Sequence, residues 1–390
     1  MFGDKTFCLY TVDNTYNSMA NPFSKLFSGA SNNDSVIGVD IGTSSIKIVQ
    51  LKKKSGKAVL ETYGSLSLGP YGQVEIGKVT NLAEDKLAAA ITDLIRESSV
   101  TSMSAGVAIP SSASLVTVIE IPTAPNNKEI AAIVQTEARK YIPVPISEVS
   151  LDWSVIPKRE EEPMNDTLAM QSPTNNKTEV LIAAIHSDTI SKYQAVVKAA
   201  NLQTSFYEIE TFSTMRAILG HEMGTVLIVD FGASKVKLSI VDFGVVRQFH
   251  VVMRGSQDIT ANLATSLQIP FSKAEEMKRT FDMRGSGGDA ATQNMREVIK
   301  LSFDFILNET QSVILAYERR YNKVIGKIIL VGGGSLIKGF YEAAESRFQV
   351  EVLYGNAFQK VEAPAFLENI LAETGPEFAV AVGLALRKLQ

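Results

Sequence analysis

Two short segments of this sequence contain the same residue types at the same spacing, and these types suit phosphate binding. The first reads Asp40-Ile41-Gly42-Thr43-Ser44-Ser45-Ile46-Lys47, and the second reads Asp230-Phe231-Gly232-Ala233-Ser234-Lys235-Val236-Lys237. In both, the aspartate precedes a lysine by seven positions, from 40 to 47 and from 230 to 237. Each segment follows an apolar run typical of a buried strand and leads into a second one. Internal similarity of this kind indicates two copies of one supersecondary unit.

Each repeated segment predicts a tight strand–turn–strand hairpin with a phosphate site at its tip. Glycine permits a close approach of the backbone in such a turn, and successive N–H groups then point into one concavity that suits phosphate oxygens. Hydroxyls add donors, and a lysine adds a point charge. The two aspartates are better placed to hold the waters of a bound Mg²⁺, which keeps most of its hydration shell. The predicted phosphate site comprises Asp40, Gly42, Thr43, Ser44, Lys47, Asp230, Gly232, Ala233 and Ser234, with Asp40 and Asp230 on the metal side.

A third element, an apolar strand over 327–331 followed by Gly332-Gly333-Gly334-Ser335, predicts a glycine turn against which a base can lie. One Asp-x-Gly after a strand also describes an ordinary hairpin. The interpretation therefore depends on the repeat and on this third element together. The sequence contains neither G-x-x-x-x-G-K-[ST] nor G-x-G-x-x-G. P-loop and dinucleotide-binding proteins thus lose their main support.

The composition excludes several other classes of protein. A chain of 390 residues with 45% hydrophobic and 21% charged residues is typical of globular proteins with two or three folding units. The net charge of −4 gives no broad basic field, so we expect no nucleic-acid partner. The single Cys8 cannot form a disulfide framework or a cysteine-based zinc site. The histidines (His186, His221 and His250) are far apart in the sequence, and we interpret them as ordinary fold residues rather than metal ligands. The lack of a disulfide framework is consistent with a reducing cytoplasm.

Two polar regions are expected to lie outside the folded units. No apolar run reaches the ~20 residues that span a bilayer, and the start lacks the features of a signal peptide. Residues 1–34 predict a disordered leader with a second plausible start at Met19. Its short patch over 22–27 could contact a membrane, but a frayed tail is the simpler interpretation. The polar, acidic segment 158–178 predicts a solvent-exposed loop.

Together the three motifs resemble those of the actin/Hsp70/sugar-kinase superfamily, which implies ATP and Mg²⁺ as cofactors. The turns at Asp40 and Asp230 resemble its two phosphate motifs, and 331–335 resembles its adenosine motif. The segment Ala274-Glu275-Glu276-Met277-Lys278 resembles the helix whose Glu and Lys contact ribose and adenine. The same spacing also describes a surface helix with an i,i+3 ion pair. The resemblance thus adds to the predicted nucleotide site Glu275, Lys278, Gly332, Gly333, Gly334 and Ser335.

The segment 208–212 lies where this superfamily places an acidic residue that positions a water, which makes Glu210 the catalytic candidate. The superfamily usually has Glu-Pro at this place, whereas this chain has Thr211 after Glu210. A purely structural role for Glu210 is therefore an equal alternative.

Within the superfamily, most of 35–390 resembles the PilM family of cytoplasmic actin-like proteins of type IV pilus assembly, and more distantly the cell-division protein FtsA. The most specific stretch runs from 137 to 153 and includes Tyr141-Ile142-Pro143 and Trp153. It resembles the small inserted subdomain of PilM. FtsA-like proteins end in a linker and an amphipathic membrane helix. We expect no such helix after Gln390, which favours PilM.

The resemblance implies a cytoplasmic ATP-binding scaffold at the inner face of the cell membrane. It would capture the N-terminal cytoplasmic peptide of the inner-membrane protein PilN and link it to the pilus motor ATPases. Membrane association would be peripheral, through partners, hydrolysis would be slow, and self-association into a homo-oligomer stays open. The implied peptide groove lies between the main first-lobe subdomain and the inserted one. The apolar positions around 108–110 and the helix over 130–141 are candidates for this groove and, equally, for the core.

The expected fold class is α/β, an actin-like two-lobed fold. Duplicated ribonuclease-H-like sheets would hold the nucleotide in the cleft between them, and a small FtsA-type 1C subdomain would be inserted. The expected boundaries are 35–104, 201–224 and 376–390 for subdomain 1A, 105–200 for 1C, 225–256 and 321–375 for 2A, and 257–320 for 2B.

Two other functions remain open for such a chain. A sugar or acid kinase shares the Asp-x-Gly-Thr start, although no motif places an aspartate base over a polar substrate pocket. A filament-forming ATPase of the FtsA or MreB kind shares the motifs as well. Phosphoryl transfer to small polyols would support the first, and ATP-dependent polymer the second.

Overall fold

The described part of the chain begins with the strand that carries the first repeated turn. The computed structural model describes residues 35–123, 126–157, 177–220, 224–285 and 287–389. The predicted leader over 1–34, its patch over 22–27 and nearly all of the predicted loop over 158–178 lie outside these ranges.

Strands and helices alternate along the chain in the manner of a mixed α/β protein. The strands are β1 (Ser35–Ile41), β2 (Ser45–Lys54), β3 (Lys57–Ser67), β4 (Ser104–Ile109), β5 (Ser114–Pro122), β6 (Val149–Val155), β7 (Lys177–His186), β8 (Gln203–Ile209), β9 (Thr225–Phe231), β10 (Val236–Asp242), β11 (Val245–Val252), β12 (Lys327–Val331), β13 (Glu351–Tyr354) and β14 (Val361–Glu362). The helices are α1 (Glu84–Glu97), α2 (Asn127–Ala138), α3 (Ser187–Ala199), α4 (Glu210–Ile218), α5 (Ser256–Leu267), α6 (Phe271–Thr280), α7 (Ala290–Tyr321), α8 (Phe340–Phe348) and α9 (Glu368–Leu389).

The two large sheets are built to one plan. The first has the order β14-β3-β2-β1-β4-β8 and the second β11-β10-β9-β12-β13. In each, an antiparallel hairpin (β1–β2 or β9–β10) is flanked by an antiparallel third strand and by a parallel strand, β4 or β12. The prediction of an α/β fold with duplicated sheets is therefore confirmed, because the same four-strand unit occurs twice.

Helix α9 connects the first sheet to the cleft. A Cβ added at Gly38 on β1 would lie 1.9 Å from the Ala381 carbonyl oxygen, and one at Gly383 would lie 1.8 Å from the Ser213 carbonyl oxygen. Side chains at these two positions would push α9 away from β1 and α4. The helix starts at Glu368, within the range predicted for subdomain 2A, and includes Pro376.

A buried ion pair fixes α4 beneath the cleft. Arg216 donates from Nη1 and Nη2 to the two carboxylate oxygens of Glu208, at 2.6 and 2.7 Å. Arg387 of α9 donates to the same carboxylate at 2.9 Å, and the Ser213 hydroxyl donates at 2.5 Å. Arg216 also donates to the Gly383 carbonyl at 3.0 Å. The network joins β8, α4 and α9, and so holds the helix that begins at Glu210.

The inserted unit has its own sheet, with the order β5-β7-β6, and its own core against α2. That core includes Ile130, Val134 and Ala138, so three apolar positions of one groove candidate, the helix over 130–141, are internal packing. Strand β4, whose residues 105–109 were assigned to the insertion, pairs with β1 and β8 in the first large sheet. Sheet membership thus places β4 with the first lobe. The prediction was wrong here because a hydrophobic pattern alone does not identify the strand with which another strand pairs.

The inserted sheet also contacts the second lobe. Arg247 on β11 donates to Glu179 on β7 at 2.5 Å, with the Arg247 side chain 15% exposed. Arg247 therefore connects the inserted unit to the sheet that contains the second turn. No helix within the described ranges has the length and apolar character needed to cross a membrane.

Candidate functional site

The two repeated segments form hairpin turns with the same local geometry. Gly42 N donates to the Ser45 carbonyl at 3.0 Å, and Gly232 N donates to the Lys235 carbonyl at 3.0 Å. In each hairpin the aspartate is directly opposite the lysine seven positions later, Asp40 opposite Lys47 and Asp230 opposite Lys237. The spacing seen in the sequence is thus the register of an antiparallel pair, and it brings opposite charges to the same end of each hairpin.

The tips of the two turns face each other. Thr43 Oγ1 donates to Ser234 Oγ at 3.3 Å. A small anionic group placed beside this contact would meet hydroxyls and turn N–H groups from both lobes. The two turns therefore form the two sides of one cleft.

The third glycine-rich element closes one wall of this cleft. Gly332 has a φ of +80°, and a Cβ there would lie 2.6 Å from Asp230 Oδ1 and 2.6 Å from the Phe231 carbonyl. Gly332 N donates to the Pro376 carbonyl at 2.8 Å, which ties the turn to α9. Ser335 is fully buried, and its hydroxyl donates to the Gly332 carbonyl at 2.7 Å. At Gly332 and Gly334 only glycine fits between this wall and the second turn, because a Cβ at either position would meet Phe231.

One cavity of about 360 Å³ lies between these elements, a size typical of small-molecule sites. Every residue predicted for the site lines it except Ser335, which supports the wall from behind. The predicted residues that line it are Asp40, Gly42, Thr43, Ser44, Lys47, Glu210, Asp230, Gly232, Ala233, Ser234, Glu275, Lys278, Gly332, Gly333 and Gly334.

Glu275 and Lys278 of α6 form the i,i+3 pair expected of a surface helix, but the pair is buried. Lys278 Nζ lies 2.7 Å from Glu275 Oε2, and the two side chains are 5% and 7% exposed. Thr260 of α5 donates to the same carboxylate oxygen at 2.7 Å. Burial lowers the pKa of Lys278 below its usual value. Because both side chains line the cavity, the pair braces α6 against α5 and still presents polar atoms to the site.

Asp40 and Asp230 have different surroundings. Burial raises the pKa of Asp40 to about 6; Lys47 opposes this shift and Glu210 adds to it. Asp230 instead has Lys237 Nζ at 2.8 Å. Burial by itself lowers the pKa of Lys237, but the carboxylates of Asp230 and Glu210 raise it well above its usual value.

Glu210 is the first residue of α4 and points into the cleft. Its Oε1 accepts from Ser111 N at 2.7 Å, and its Oε2 accepts from Lys237 Nζ at 2.7 Å. Thr211, which replaces the superfamily's usual proline, shares a 2.7 Å hydroxyl–hydroxyl hydrogen bond with Ser111. The threonine thus helps to hold the segment whose backbone N–H binds Glu210.

Sequence reasoning did not assign two features of the site. Lys237 was visible as the repeat partner of Lys47, but its ion pair with Glu210 joins separate elements and has no local signal. The second feature is the loop over 68–82, which follows β3 and crosses to the second lobe. Val79 N donates to Gln257 Oε1 on α5 at 2.5 Å, and Gly77 packs against Glu275 on α6.

Both ends of this crossing loop are bonded to the first turn. Leu68 N donates to the Ser44 carbonyl at 2.9 Å, and Thr80 N donates to the Thr43 carbonyl at 2.8 Å. The loop therefore connects the first turn to the α5–α6 pair of the second lobe along the rim of the cavity.

Among the residues that the structure describes, no group of three or more His, Cys, Asp or Glu side chains is arranged to hold a metal ion directly. The two metal candidates predicted from the sequence, Asp40 and Asp230, each offer one carboxylate to the cleft, beside that of Glu210. Their chemistry fits a hydrated Mg²⁺ held through water and substrate oxygens, since Mg²⁺ is seldom bound by an all-protein cage.

Comparison with known proteins gives a family match over nearly the whole chain. The model of the family described as "Type IV pilus assembly protein PilM" matches residues 38–389. The curated cell division protein FtsA of Helicobacter pylori is 24% identical over 259 residues, which cover 59% of this chain and 51% of FtsA. The chain thus spans about half the length of the curated relatives it matches.

Two solved structures share the fold. A chain of the "PilM-PilN type IV pilus biogenesis complex" is 24% identical, with a TM-score of 0.73 over 91% of this chain and 98% of that one. Ethanolamine utilization protein EutJ from Carboxydothermus hydrogenoformans is 17% identical, with a TM-score of 0.52 over 90% of this chain and 89% of that one. These likenesses show that this chain shares its fold with both proteins.

Proposed function

Since the chain belongs to the PilM family of type IV pilus assembly proteins, we propose that it is a nucleotide-binding scaffold that holds ATP with Mg²⁺ in the cleft and captures a peptide of a PilN-type partner. The observation that carries the nucleotide part is the facing pair of turns, with Thr43 and Ser234 in contact across the cleft. The N–H groups of the two turns and the lysine of the first turn suit the phosphates of one nucleotide. The glycine wall suits its base.

The chain's own residues would divide the work of holding this ligand. Turn N–H groups and the hydroxyls of Thr43, Ser44 and Ser234 would bind phosphate oxygens, and Lys47 would add positive charge. The flat surface of Gly332–Gly334 and the Glu275–Lys278 pair would flank the nucleoside. Mg²⁺, when bound, would neutralise phosphate charge, with Asp40 holding its waters. Glu210 is the candidate for positioning a water.

The scaffold part of the proposal is supported by how the inserted unit is connected. The inserted sheet contacts β11 through Glu179 and Arg247, and β11 pairs with β10, which carries Lys237 into the cleft. A ligand that bridges the lobes shifts their arrangement only by its differential affinity for the open and closed states. Nucleotide could therefore change the geometry beside the inserted unit, where the proposed PilN-type peptide would dock, at the inner face of the membrane.

Thermal unfolding with and without ATP–Mg²⁺ tests the nucleotide part. Ligand at 100 times Kd should stabilise the protein by about 2.7 kcal/mol. Asp230→Leu and Gly232→Val should abolish this shift, because a Cβ at Gly232 would lie 3.1 Å from the Lys235 carbonyl and fill the turn. Gly224→Val is the matched control, since nothing lies within 4 Å of its Cβ. An ATP-induced shift that survives both cleft substitutions would show that the phosphate assignment is wrong.

A pull-down tests the scaffold part. The immobilised N-terminal peptide of a PilN-type protein from the same organism should retain the wild-type protein, and a scrambled peptide should not. Retention should change when ATP–Mg²⁺ is added. No retention under either condition would reject the scaffold function and favour the kinase or the filament-forming ATPase, which polyol phosphorylation and light scattering distinguish.

A further inference from the structure

The lysines at the equivalent positions of the two turns differ in whether their charge is paired. In the first turn, Lys47 Nζ donates to the Ser45 hydroxyl at 3.0 Å, and no carboxylate lies within ion-pair distance of it among the described residues. In the second turn, Lys237 Nζ lies 2.7 Å from Glu210 and 2.8 Å from Asp230. One ammonium and two carboxylates together carry a net charge of −1.

The net negative charge of this triad opposes the binding of phosphate at the second turn. The side chains of Lys237, Glu210 and Asp230 are only 17%, 11% and 18% exposed, and water screens charges weakly at such a depth. Phosphate oxygens beside the triad would therefore be repelled unless another cation of the same lobe faced them. Lys237 cannot be that cation, because both of its neighbours already hold it.

Lys235 is the other cation that the second turn offers. It occupies the position of Ser45 in the repeat, five residues after the aspartate. Its side chain is partly buried and lines the cavity. Within the described ranges, no carboxylate lies within ion-pair distance of its ammonium. Removing an ammonium from water without pairing it costs free energy, so an unpaired lysine in this cavity indicates an anionic ligand.

The other basic side chains of the second lobe that line the cavity are paired. Lys237 is held by Glu210, and Lys278 and Arg279 are both held by Glu275. Unpaired ammonium groups are thus contributed by Lys47 on the first lobe and by Lys235 on the second. A polyphosphate between the two turns would meet one free positive charge from each lobe.

The order of the strands places Lys235 on the side of the second turn that is farther from the glycine wall. Strand β12, which leads into the wall, pairs with β9, and β9 pairs with β10 on its other side. Lys235 directly precedes β10, and adjacent strands lie about 4.8 Å apart. A nucleotide whose base lies against the wall would therefore bring its outermost phosphate, rather than the phosphate next to its ribose, towards Lys235.

We propose that Lys235 binds the terminal phosphate of a nucleoside triphosphate and makes the site selective for triphosphates over diphosphates. The proposal rests on the nucleotide site proposed above. The sequence prediction included the neighbouring Ala233 and Ser234 but not Lys235, because the repeat directs attention to the lysine two positions later. The free charge of the second turn is therefore at 235, whereas that of the first turn is at 47.

Isothermal titration of ATP and of ADP, both with Mg²⁺, tests this role. The wild-type protein should bind ATP more tightly than ADP. Lys235→Gln should weaken ATP binding on the order of tenfold, because it removes a charge-assisted hydrogen bond, and should weaken ADP binding less than about twofold. Lys235→Arg keeps the charge and should keep the selectivity. The control is Lys300→Gln, which removes one positive charge at an exposed position of α7 and should change neither affinity.

The outcomes separate this role from the nucleotide site itself. If Lys235→Gln loses ATP and ADP affinity equally, or loses neither, the role of Lys235 is rejected while the nucleotide site stands. If the wild-type protein binds neither nucleotide, the nucleotide site is rejected, and the role of Lys235 with it. If Lys235→Gln does not fold, the wild-type comparison decides, because equal affinities for ATP and ADP would overturn the proposed selectivity.

Discussion

Thr43 Oγ1 lies 3.3 Å from Ser234 Oγ, although 191 positions separate the two residues in the chain. Each belongs to one copy of a repeated hairpin, and each hairpin is central in its own sheet. The contact shows that the two copies face each other across one cleft.

Gly332→Ala should destabilise the protein and displace Asp230. The substitution places a methyl group 2.6 Å from Asp230 Oδ1 at a φ of +80°, and a left-handed non-glycine residue costs about 1–3 kcal/mol. Chemical denaturation measures the loss. The control is Gly326→Ala, at the end of β12 opposite Gly332. It has nothing within 4 Å of the added Cβ and should change stability little. Equal midpoints for the two variants would contradict the prediction.

Arg216→Met should be among the most destabilising substitutions in the first lobe. It leaves the carboxylate of Glu208, 1% exposed, with fewer donors, and breaking a buried pair from one side costs about 3–5 kcal/mol. The comparison is Lys177→Met, which removes the exposed pair with Glu120 and should change the free energy of unfolding little, because exposed ion pairs contribute little to stability. Urea denaturation distinguishes the two, and a small loss for Arg216→Met would mean that the network is dispensable.

Asp40→Asn should stabilise the ligand-free protein increasingly as the pH rises from about 4 to about 6. Burial raises the pKa of Asp40 to about 6, so the folded state retains a proton that the unfolded state releases near pH 4. The folded state therefore loses stability as the pH rises through this window, and asparagine avoids that loss.

Thermal unfolding of both proteins between pH 3.5 and 7.5 measures this difference. Asp304→Asn, on the exposed face of α7, is the control and should show no such trend. A difference between Asp40→Asn and the wild type that is flat across the range would rule out the raised pKa.

Gln257→Ala should loosen the loop that crosses the cleft. Its side chain accepts from Val79 N at 2.5 Å, and the ends of that loop are bonded to the first turn. A bound fluorescent ATP analogue should therefore dissociate faster, while global stability falls by about 1 kcal/mol. Stopped-flow release measures the rate. Asn262→Ala, an exposed position on the same helix, should release the analogue at the wild-type rate; a similar rate from Gln257→Ala would exclude a role for the loop in closure.

Much of the site was readable from the sequence because its parts are local. The turns, their glycines and the lysine seven positions after each aspartate are set by hairpin register, which needs only neighbouring residues. The same holds for the glycine wall after β12 and for the duplicated sheet. The buried Glu275–Lys278 pair was also visible as a spacing, although the prediction could not tell a surface pair from a buried one.

Tertiary structure decided the contacts between these local parts. The sequence presents Lys47 and Lys237 as equals, and only the approach of α4 gives Lys237 a second carboxylate, Glu210. The sequence likewise contains no local signal that β4 pairs with β8, or that the loop over 68–82 reaches α5 and α6. These contacts join residues far apart in the chain, and their energies depend on burial and on partners supplied by other elements. The sequence thus determined the two turns and their spacing. The folded chain determined that the turns face each other and that Lys237, rather than Lys47, is paired with two carboxylates.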